Sequence, residues 1–228
     1  MSNTVAVIRE RGLSPFASLA SLLFTALLVF MVPGAAAQGP AAEGTQYLRM
    51  NPGLPVETGK KIEVIEFFSY GCPHCAEFEP YLQAWMKGLP ADVSVKRVPV
   101  MFQPRWADLA KVYYTLEAMG EDLRLSPEVF VAIHAKGLAL WEPAKFFDWA
   151  ATKGLDRKKV EDLYNSFTMS GRVNRAKQLA QAYNIQEVPL IVVDGKFVTT
   201  PARAGSHSAT PAVMTELVNK ARAERPKS

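Results

Sequence analysis

The two cysteines of the chain, Cys72 and Cys75, are separated by only two residues. They follow a β-branched and aromatic run over residues 61–68 and precede a run with helical periodicity, which predicts a strand-to-helix turn. A pair at this spacing can form a disulfide, hold a metal or exchange thiols. Because a bond across two intervening residues closes almost no loop, it would stabilise the fold very little. Thiol exchange is therefore the favoured interpretation.

The N-terminus predicts export. Arg9 and Arg11 precede an uncharged apolar run over residues 16–32, and small residues follow as far as Ala37. This order is typical of a signal peptide, so we expect residues 1–37 to be cleaved after Ala37. An uncleaved membrane anchor is the alternative, because the apolar run is near the lower length limit of a membrane span. Export would place the cysteines where disulfides persist.

The composition is that of an ordinary globular protein. Hydrophobic residues make up 49% of the 228 residues, enough to bury a sizeable core. The formal net charge of +4 is spread along the chain, without a basic block interleaved with aromatic residues. We therefore expect no nucleic-acid partner.

Two strand-rich ends flank a helical block. Residues 61–68 and 93–100 predict strands, and Asp194-Gly195 between two apolar runs predicts a hairpin. Within the block, Ser126 before a proline predicts a helix start, and a later helix is predicted from Gly171. The predicted fold class is α/β, with these parts: an extended lead-in, 38–57; one domain in two pieces, 58–102 and 168–228; and an inserted all-helical domain, 103–167.

The two cysteines are predicted to be chemically different. Cys72 would be the N-cap of a helix whose first residue is Pro73, so unpaired backbone N–H groups and the helix dipole would stabilise its thiolate. His74 can add charge or a hydrogen bond to the same sulfur. Cys75 falls on the apolar face of the helix with Phe78. We expect Cys72 to be exposed and acidic, and Cys75 to be buried.

Glu66 is an unexpected residue in an apolar strand. Strand alternation places it on the same face as Val64 and Phe68. Burial would raise the pKa of its carboxyl and make it a candidate proton donor or acceptor for Cys75. The alternative is an edge strand with Glu66 in water.

A metal site and a cysteine hydrolase are both disfavoured. Two thiolates need two further zinc ligands, and the candidates His74, His134 and His207 lie in unrelated sequence contexts. A hydrolase needs a third group to orient its histidine, and none is evident beside His74. We therefore predict no metal.

The segment from Glu66 to Cys75, Glu-Phe-Phe-Ser-Tyr-Gly-Cys-Pro-His-Cys, together with the distal Val188-Pro189, resembles the DsbA family of the thioredoxin superfamily. The order of predicted elements over residues 58–224 is similar as well. The resemblance implies a thioredoxin-like fold with an inserted all-helical domain.

The resemblance also implies roles for individual residues. Cys72 would be the nucleophile and leaving sulfur, Cys75 its buried partner, and Pro73-His74 the dipeptide that tunes Cys72. Val188-Pro189 resembles the family's cis-proline, which implies that the Val188 backbone pairs with a substrate peptide. Glu66 would be the buried acid.

Two further residues, Glu79 and Lys96, match charged positions near the family's active site. Their implied role is a secondary charge network around the cysteines.

The implied function is that of an exported, periplasmic oxidoreductase that donates its Cys72–Cys75 disulfide to newly exported proteins, with no other cofactor. A DsbB-like membrane oxidase would regenerate the disulfide, and we expect a monomer. Two alternatives stay open: a reductase or isomerase of the same fold, and a chaperone or metal-binding module whose cysteines do not turn over.

Overall fold

The computed structural model describes residues 40–225, so the predicted signal peptide lies outside the described residues. At its centre is a five-stranded mixed sheet with the strand order β1-β5-β4-β2-β3. Strand β2 pairs in parallel with β3 and antiparallel with β4. The strands are Leu48–Arg49 (β1), Ile62–Phe68 (β2), Val93–Pro99 (β3), Leu190–Val193 (β4) and Phe197–Thr199 (β5).

Helices cover the sheet and form the long connection between β3 and β4. A π-helical turn, Val131–Ala135, extends α3. Within residues 40–225, we find no helix with the length and apolar character needed to cross a membrane. The helices are Pro73–Lys87 (α1), Pro104–Ala118 (α2), Asp122–Phe130 (α3), Pro143–Thr152 (α4), Arg157–Tyr164 (α5), Phe167–Ala182 (α6), Pro201–Ala204 (α7) and Thr210–Glu224 (α8).

Strand β2 leads directly into the cysteine turn and lies inside the sheet. All seven of its residues are buried, since β3 and β4 flank it and helices cover its faces. The alternative that placed Glu66 in water on an edge strand is therefore wrong. Glu66 is 0% exposed.

The inserted helices share one hydrophobic core with the sheet. At the end of β2, the ring of Phe68 lies 5.2 Å from Tyr113 of α2 and 6.4 Å from Phe130 of α3. Because these aromatic contacts join the insertion to the strand that precedes the cysteines, the helical block supports the cysteine turn. A second cluster packs α1 and α8 against the sheet through residues such as Phe78 and Met214.

The predicted lead-in contributes an edge strand. In β1, Leu48 pairs with Val198 of β5. The β4–β5 hairpin turns at Asp194 and Gly195, which both have positive φ, 54° and 64°. A Cβ on Gly195 would lie 2.0 Å from the carbonyl oxygen of Leu54. This position therefore requires glycine both for its positive φ and for this close approach.

Two predicted helix starts are wrong. Helix α3 begins at Asp122, and the hydroxyl of Ser126 lies inside it, 2.6 Å from the hydroxyl of Tyr70. Helix α6 begins at Phe167, because Ser166 is its N-cap and accepts a hydrogen bond from the backbone N–H of Met169 at 3.3 Å.

Candidate active site

The cysteine turn has the predicted helix-start geometry. Cys72 is the N-cap of α1 with extended backbone angles, and Pro73 is the first helical residue. The backbone N–H of Cys72 donates to the Ser69 carbonyl at 3.0 Å, which closes the turn between β2 and α1. A Cβ on Gly71 would lie 2.3 Å from Nε1 of Trp106. The indole of Trp106 thus requires glycine immediately before Cys72.

The two sulfurs differ in exposure, but less than predicted. Cys75 is 0% exposed and Cys72 is 7% exposed, so Cys72 is not the open thiol that the sequence suggested. The loop before β4 covers it, because the Cys72 thiol donates to the carbonyl oxygen of Val188 at 3.5 Å. Any group that reacts with Cys72 must therefore approach past Val188.

The pKa of Cys72 is lowered from 9.0 to about 6. The largest cause is a hydrogen bond from the Cys75 thiol, and burial acts in the opposite direction. Backbone N–H groups of Cys75 and His74 add to the lowering, as does the charge of His74. The pKa of the Cys75 thiol is raised well above its ordinary value, chiefly by burial. At neutral pH the reduced pair therefore consists mainly of a Cys72 thiolate and a protonated Cys75 thiol.

The ring of His74 is hydrogen-bonded to Glu77. Its Nδ1 lies 3.1 Å from Oε2 of Glu77, and the side chain is 72% exposed. His74 lowers the pKa of Cys72 both through a hydrogen bond from its main chain and through its charge.

Val188 and Pro189 lie beside Cys72, as the resemblance implied. The peptide bond between them is cis, which confirms that prediction. They line a surface groove of about 320 Å³ together with His74, Thr200, Pro201 and His207. Of the residues in the cysteine turn, His74 lines this groove.

A buried charge network lies below the cysteines. Arg97 donates from Nε to Oε2 of Glu66 at 2.5 Å, and from Nη2 to Oε2 of Glu79 at 2.6 Å. All three side chains are at most 3% exposed. The guanidinium thus bridges β2 and α1 through two carboxylates.

The prediction that Lys96 belongs to this network is wrong. Lys96 lies on the opposite face of β3, where its Nζ is 2.6 Å from Oε2 of Glu57. Arg97 is the residue paired with Glu66 across the parallel β2–β3 register. Because side chains alternate along a strand, adjacent residues cannot both face the network.

Burial raises the pKa of Glu66 to about 7. Arg97 opposes this rise, and the charges of Glu79 and Cys72 add to it. Among the described residues, Oε1 of Glu66 has no hydrogen-bond partner. The charge of Glu66 in turn raises the pKa of the Cys75 thiol. The carboxyl can therefore gain or lose a proton near neutral pH in the surroundings of the buried cysteine.

Sequence reasoning did not find Arg97, Trp106 or His207 as neighbours of the site. Arg97 could have been found from strand alternation if the β2–β3 register had been known. Nothing local in the sequence places Trp106 against Gly71, or His207 beside His74.

Comparison with known proteins identifies the family of the chain. The family model described as a DSBA-like thioredoxin domain matches residues 63–205. A curated relative from Bordetella parapertussis, thiol:disulfide interchange protein DsbA, is 40% identical over 194 residues, which cover 85% of this chain and 90% of the relative. The protein of the same name from Pseudomonas aeruginosa is 38% identical over 205 residues, covering 89% and 97%.

Solved structures give the same result. The crystal structure of Pseudomonas aeruginosa DsbA is 39% identical, with a TM-score of 0.76, and the match covers 80% of this chain and 95% of that one. A DsbA from Xylella fastidiosa is 30% identical with a TM-score of 0.71, covering 78% and 96%. These matches confirm the predicted α/β, thioredoxin-like fold.

Proposed function

The chain belongs to the DsbA family and is a thiol:disulfide oxidoreductase; on this premise, we propose that it oxidises newly exported polypeptides by donating its Cys72–Cys75 disulfide. The observation that carries the proposal is the difference between the two thiols. Cys72 has a pKa of about 6, whereas burial raises that of Cys75. Such a pair favours the reduced state of the enzyme and hence oxidation of the client.

The reaction passes through a mixed disulfide. A client thiolate attacks Sγ of Cys72, the Cys72–Cys75 bond breaks, and its electron pair leaves on Cys75, which takes up a proton. A second client thiolate then attacks the client sulfur bound to Cys72. The client disulfide forms and Cys72 leaves as a thiolate. Two electrons pass from the client to the enzyme.

The stabilised thiolate of Cys72 contributes part of the driving force for client oxidation, and its size follows from the pKa. A thiol with a pKa of about 6 rather than 9.0 favours the reduced form by at most about 1.4 kcal/mol near neutral pH, or about 30 mV. Because this pKa is lowered, the effect is fully present above pH 9.0 and is lost as the pH falls through about 6. Cys72 is also the better leaving group of the pair.

Val188 is assigned the role of holding the client backbone. Its carbonyl accepts from the Cys72 thiol at 3.5 Å while that thiol is protonated. Once Cys72 is in a disulfide or is ionised, that donor is gone, and the carbonyl can accept from a client N–H instead. The peptide bond that follows this carbonyl, Val188-Pro189, is cis.

Glu66 is assigned the role of proton donor and acceptor for Cys75. The proposal rests on its pKa of about 7 and on its oxygen Oε1, which lacks a hydrogen-bond partner among residues 40–225. When Cys75 leaves as a thiolate, it needs a proton, and its buried position excludes most of the solvent. A carboxyl that is partly protonated at neutral pH can supply it.

The cellular setting is part of the proposal. The apolar N-terminal segment supports export to the periplasm, and a DsbB-like membrane oxidase would restore the disulfide. The two cysteines of one chain suffice for the reaction, so a monomer needs no further subunit and no cofactor besides its own disulfide.

The test mixes the oxidised mature chain with a reduced peptide that carries two cysteines. Mass spectrometry should show loss of two hydrogens from the peptide and their gain by the protein, and the Cys72→Ala variant should be inactive. The reduction potential, measured against glutathione, should lie well above that of thioredoxin, about −270 mV. A value near or below that of thioredoxin would indicate a reductase, and absence of exchange would indicate a non-catalytic module.

A further inference from the structure

The fold brings two of the three histidines of the chain together beside the redox site. His74 and Glu77 lie on α1, and His207 lies in the turn between α7 and α8. One ligand atom from each of the three side chains lies within 4.8 Å of the others. We propose that His74, Glu77 and His207 form a binding site for a divalent transition metal ion, with Zn²⁺ as the best match.

Helix geometry aligns the first two ligands. Residues three apart on a helix lie on the same face, and Nδ1 of His74 is 3.1 Å from Oε2 of Glu77. Neither side chain is held by the core, since they are 72% and 57% exposed. Both can therefore rotate toward a shared ion.

His207 is the better fixed of the three ligands. Its side chain is 27% exposed, and its Nδ1 lies 3.8 Å from Oε2 of Glu77. Its ring lies next to the buried ring of Phe78, with the centroids 6.3 Å apart. Hydrogen bonds between residues on either side of His207 close the turn, among them one from the backbone N–H of Ala209 to Oγ of Ser206 at 3.0 Å. The fold thus presents His207 toward α1.

The distances suit a small ion. In a tetrahedral zinc site, ligand atoms about 2.1 Å from the metal lie about 3.4 Å from one another. The observed separations of 3.1 and 3.8 Å bracket this value, and the widest, at most 4.8 Å, closes with a small rotation of an exposed side chain. Two imidazoles and one carboxylate are a common set of three protein ligands for zinc, which leaves the fourth position open.

The fourth coordination position of the ion would face the surface groove. His74 and His207 both line the groove, together with Val188 and Pro189. A bound ion would place a positive charge and a free coordination position where a client passes. The site does not use the cysteines, so it can exist whether or not the chain oxidises clients.

The test titrates ZnCl₂ into the oxidised, tag-free mature chain by isothermal titration calorimetry. In the oxidised chain, Cys72 and Cys75 form a disulfide and cannot bind zinc as thiolates. Zn²⁺ is suitable because it has no redox chemistry of its own. We expect one ion per chain. Since loss of an outer partner alone costs about 10- to 100-fold in affinity, His207→Ala should weaken binding at least about tenfold.

The third histidine provides the matched control. His134 is hydrogen-bonded to the carbonyl oxygen of Tyr70 at 2.8 Å and is not part of the cluster, so His134→Ala should bind zinc like the wild type. Side-chain ¹⁵N spectra should show zinc-dependent shifts for His74 and His207 only. Unchanged affinity in His207→Ala, or a dissociation constant above about 1 mM for the wild type, would overturn the proposal.

Discussion

Replacing Glu66 with glutamine should stabilise the folded protein at high pH and leave its stability unchanged at low pH. Glutamine has the shape of a protonated glutamate and can still accept a hydrogen bond from Nε of Arg97. The wild-type carboxyl must lose its proton in a site with no solvent exposure as the pH rises. The variant avoids that cost, and Arg97 keeps its bond to Glu79.

The magnitude follows from the pKa of Glu66 in the folded and unfolded chain. Its value is about 7 in the fold against 4.5 for a free carboxyl, a difference that corresponds to about 3 kcal/mol. Because the pKa of Glu66 is raised in the folded protein, the stability that its protonated form contributes is fully present below pH 4.5. This contribution is lost as the pH rises through about 7. At about pH 8, Glu66→Gln should therefore exceed the wild type by up to about 3 kcal/mol.

The assay is urea unfolding of the oxidised wild type and the oxidised variant across this pH range. The oxidised form is used because it has no Cys72 thiolate, whose charge also acts on Glu66. The difference in the free energy of unfolding should grow between about pH 4.5 and pH 7 and then level off. Low pH is the internal control, since both proteins are uncharged at this position there.

A constant difference across the pH range would refute the reasoning, because it would mean that the Glu66 carboxyl does not titrate between the two states. A variant that is less stable at high pH would also refute it. In that case the bond between ionised Glu66 and Arg97 would outweigh the cost of burying the charge.

Three further outcomes are expected. Cys75→Ala should raise the pKa of Cys72, because the hydrogen bond that lowers it most is lost, whereas Cys75→Ser keeps a donor. Thiolate absorbance against pH measures the pKa of Cys72 in both variants. Identical titration curves would show that the hydrogen bond from residue 75 does not lower this pKa. In the reduced wild type, alkylation of Cys72 followed by mass spectrometry should have its midpoint near pH 6, and a midpoint near 9.0 would contradict the lowered pKa. Gly71→Ala should destabilise the fold by about 1–3 kcal/mol, since its Cβ would meet Trp106; unchanged thermal unfolding would count against that contact.

The features predicted well from sequence are those fixed by local chemistry. The helix start at Cys72 and Pro73 follows from an N-cap position and a proline that needs no N–H donor. The hairpin at Asp194 and Gly195 follows from two residues that tolerate positive φ. In both cases the signal lies within a few residues of the structure that it specifies.

The features that were missed depend on which face of an element meets another. Choosing Lys96 instead of Arg97 moves the predicted charge to the opposite face of β3, since a shift of one residue reverses the faces of a strand. Only the pairing of Arg97 with Glu66 in the register of β2 and β3 decides between them. Likewise, Ser126 has the residue type of a helix cap, but its hydroxyl is bonded to Tyr70.

Burial is the main reason that the pKa of Glu66 is raised, and the bonding pattern of the buried network does little to offset it. Glu79 receives two bonds from Arg97, at 2.6 and 3.3 Å, and a third from Nε2 of Gln83 at 2.9 Å. Glu66 receives a single bond from Arg97 and keeps one buried oxygen that has no partner among residues 40–225. Fewer donors leave its negative charge less stabilised. A proton that is removable near neutral pH thus lies on β2, the strand that leads into Cys72. The charge of Glu66 raises the pKa of Cys75, and the charge of Cys72 raises the pKa of Glu66.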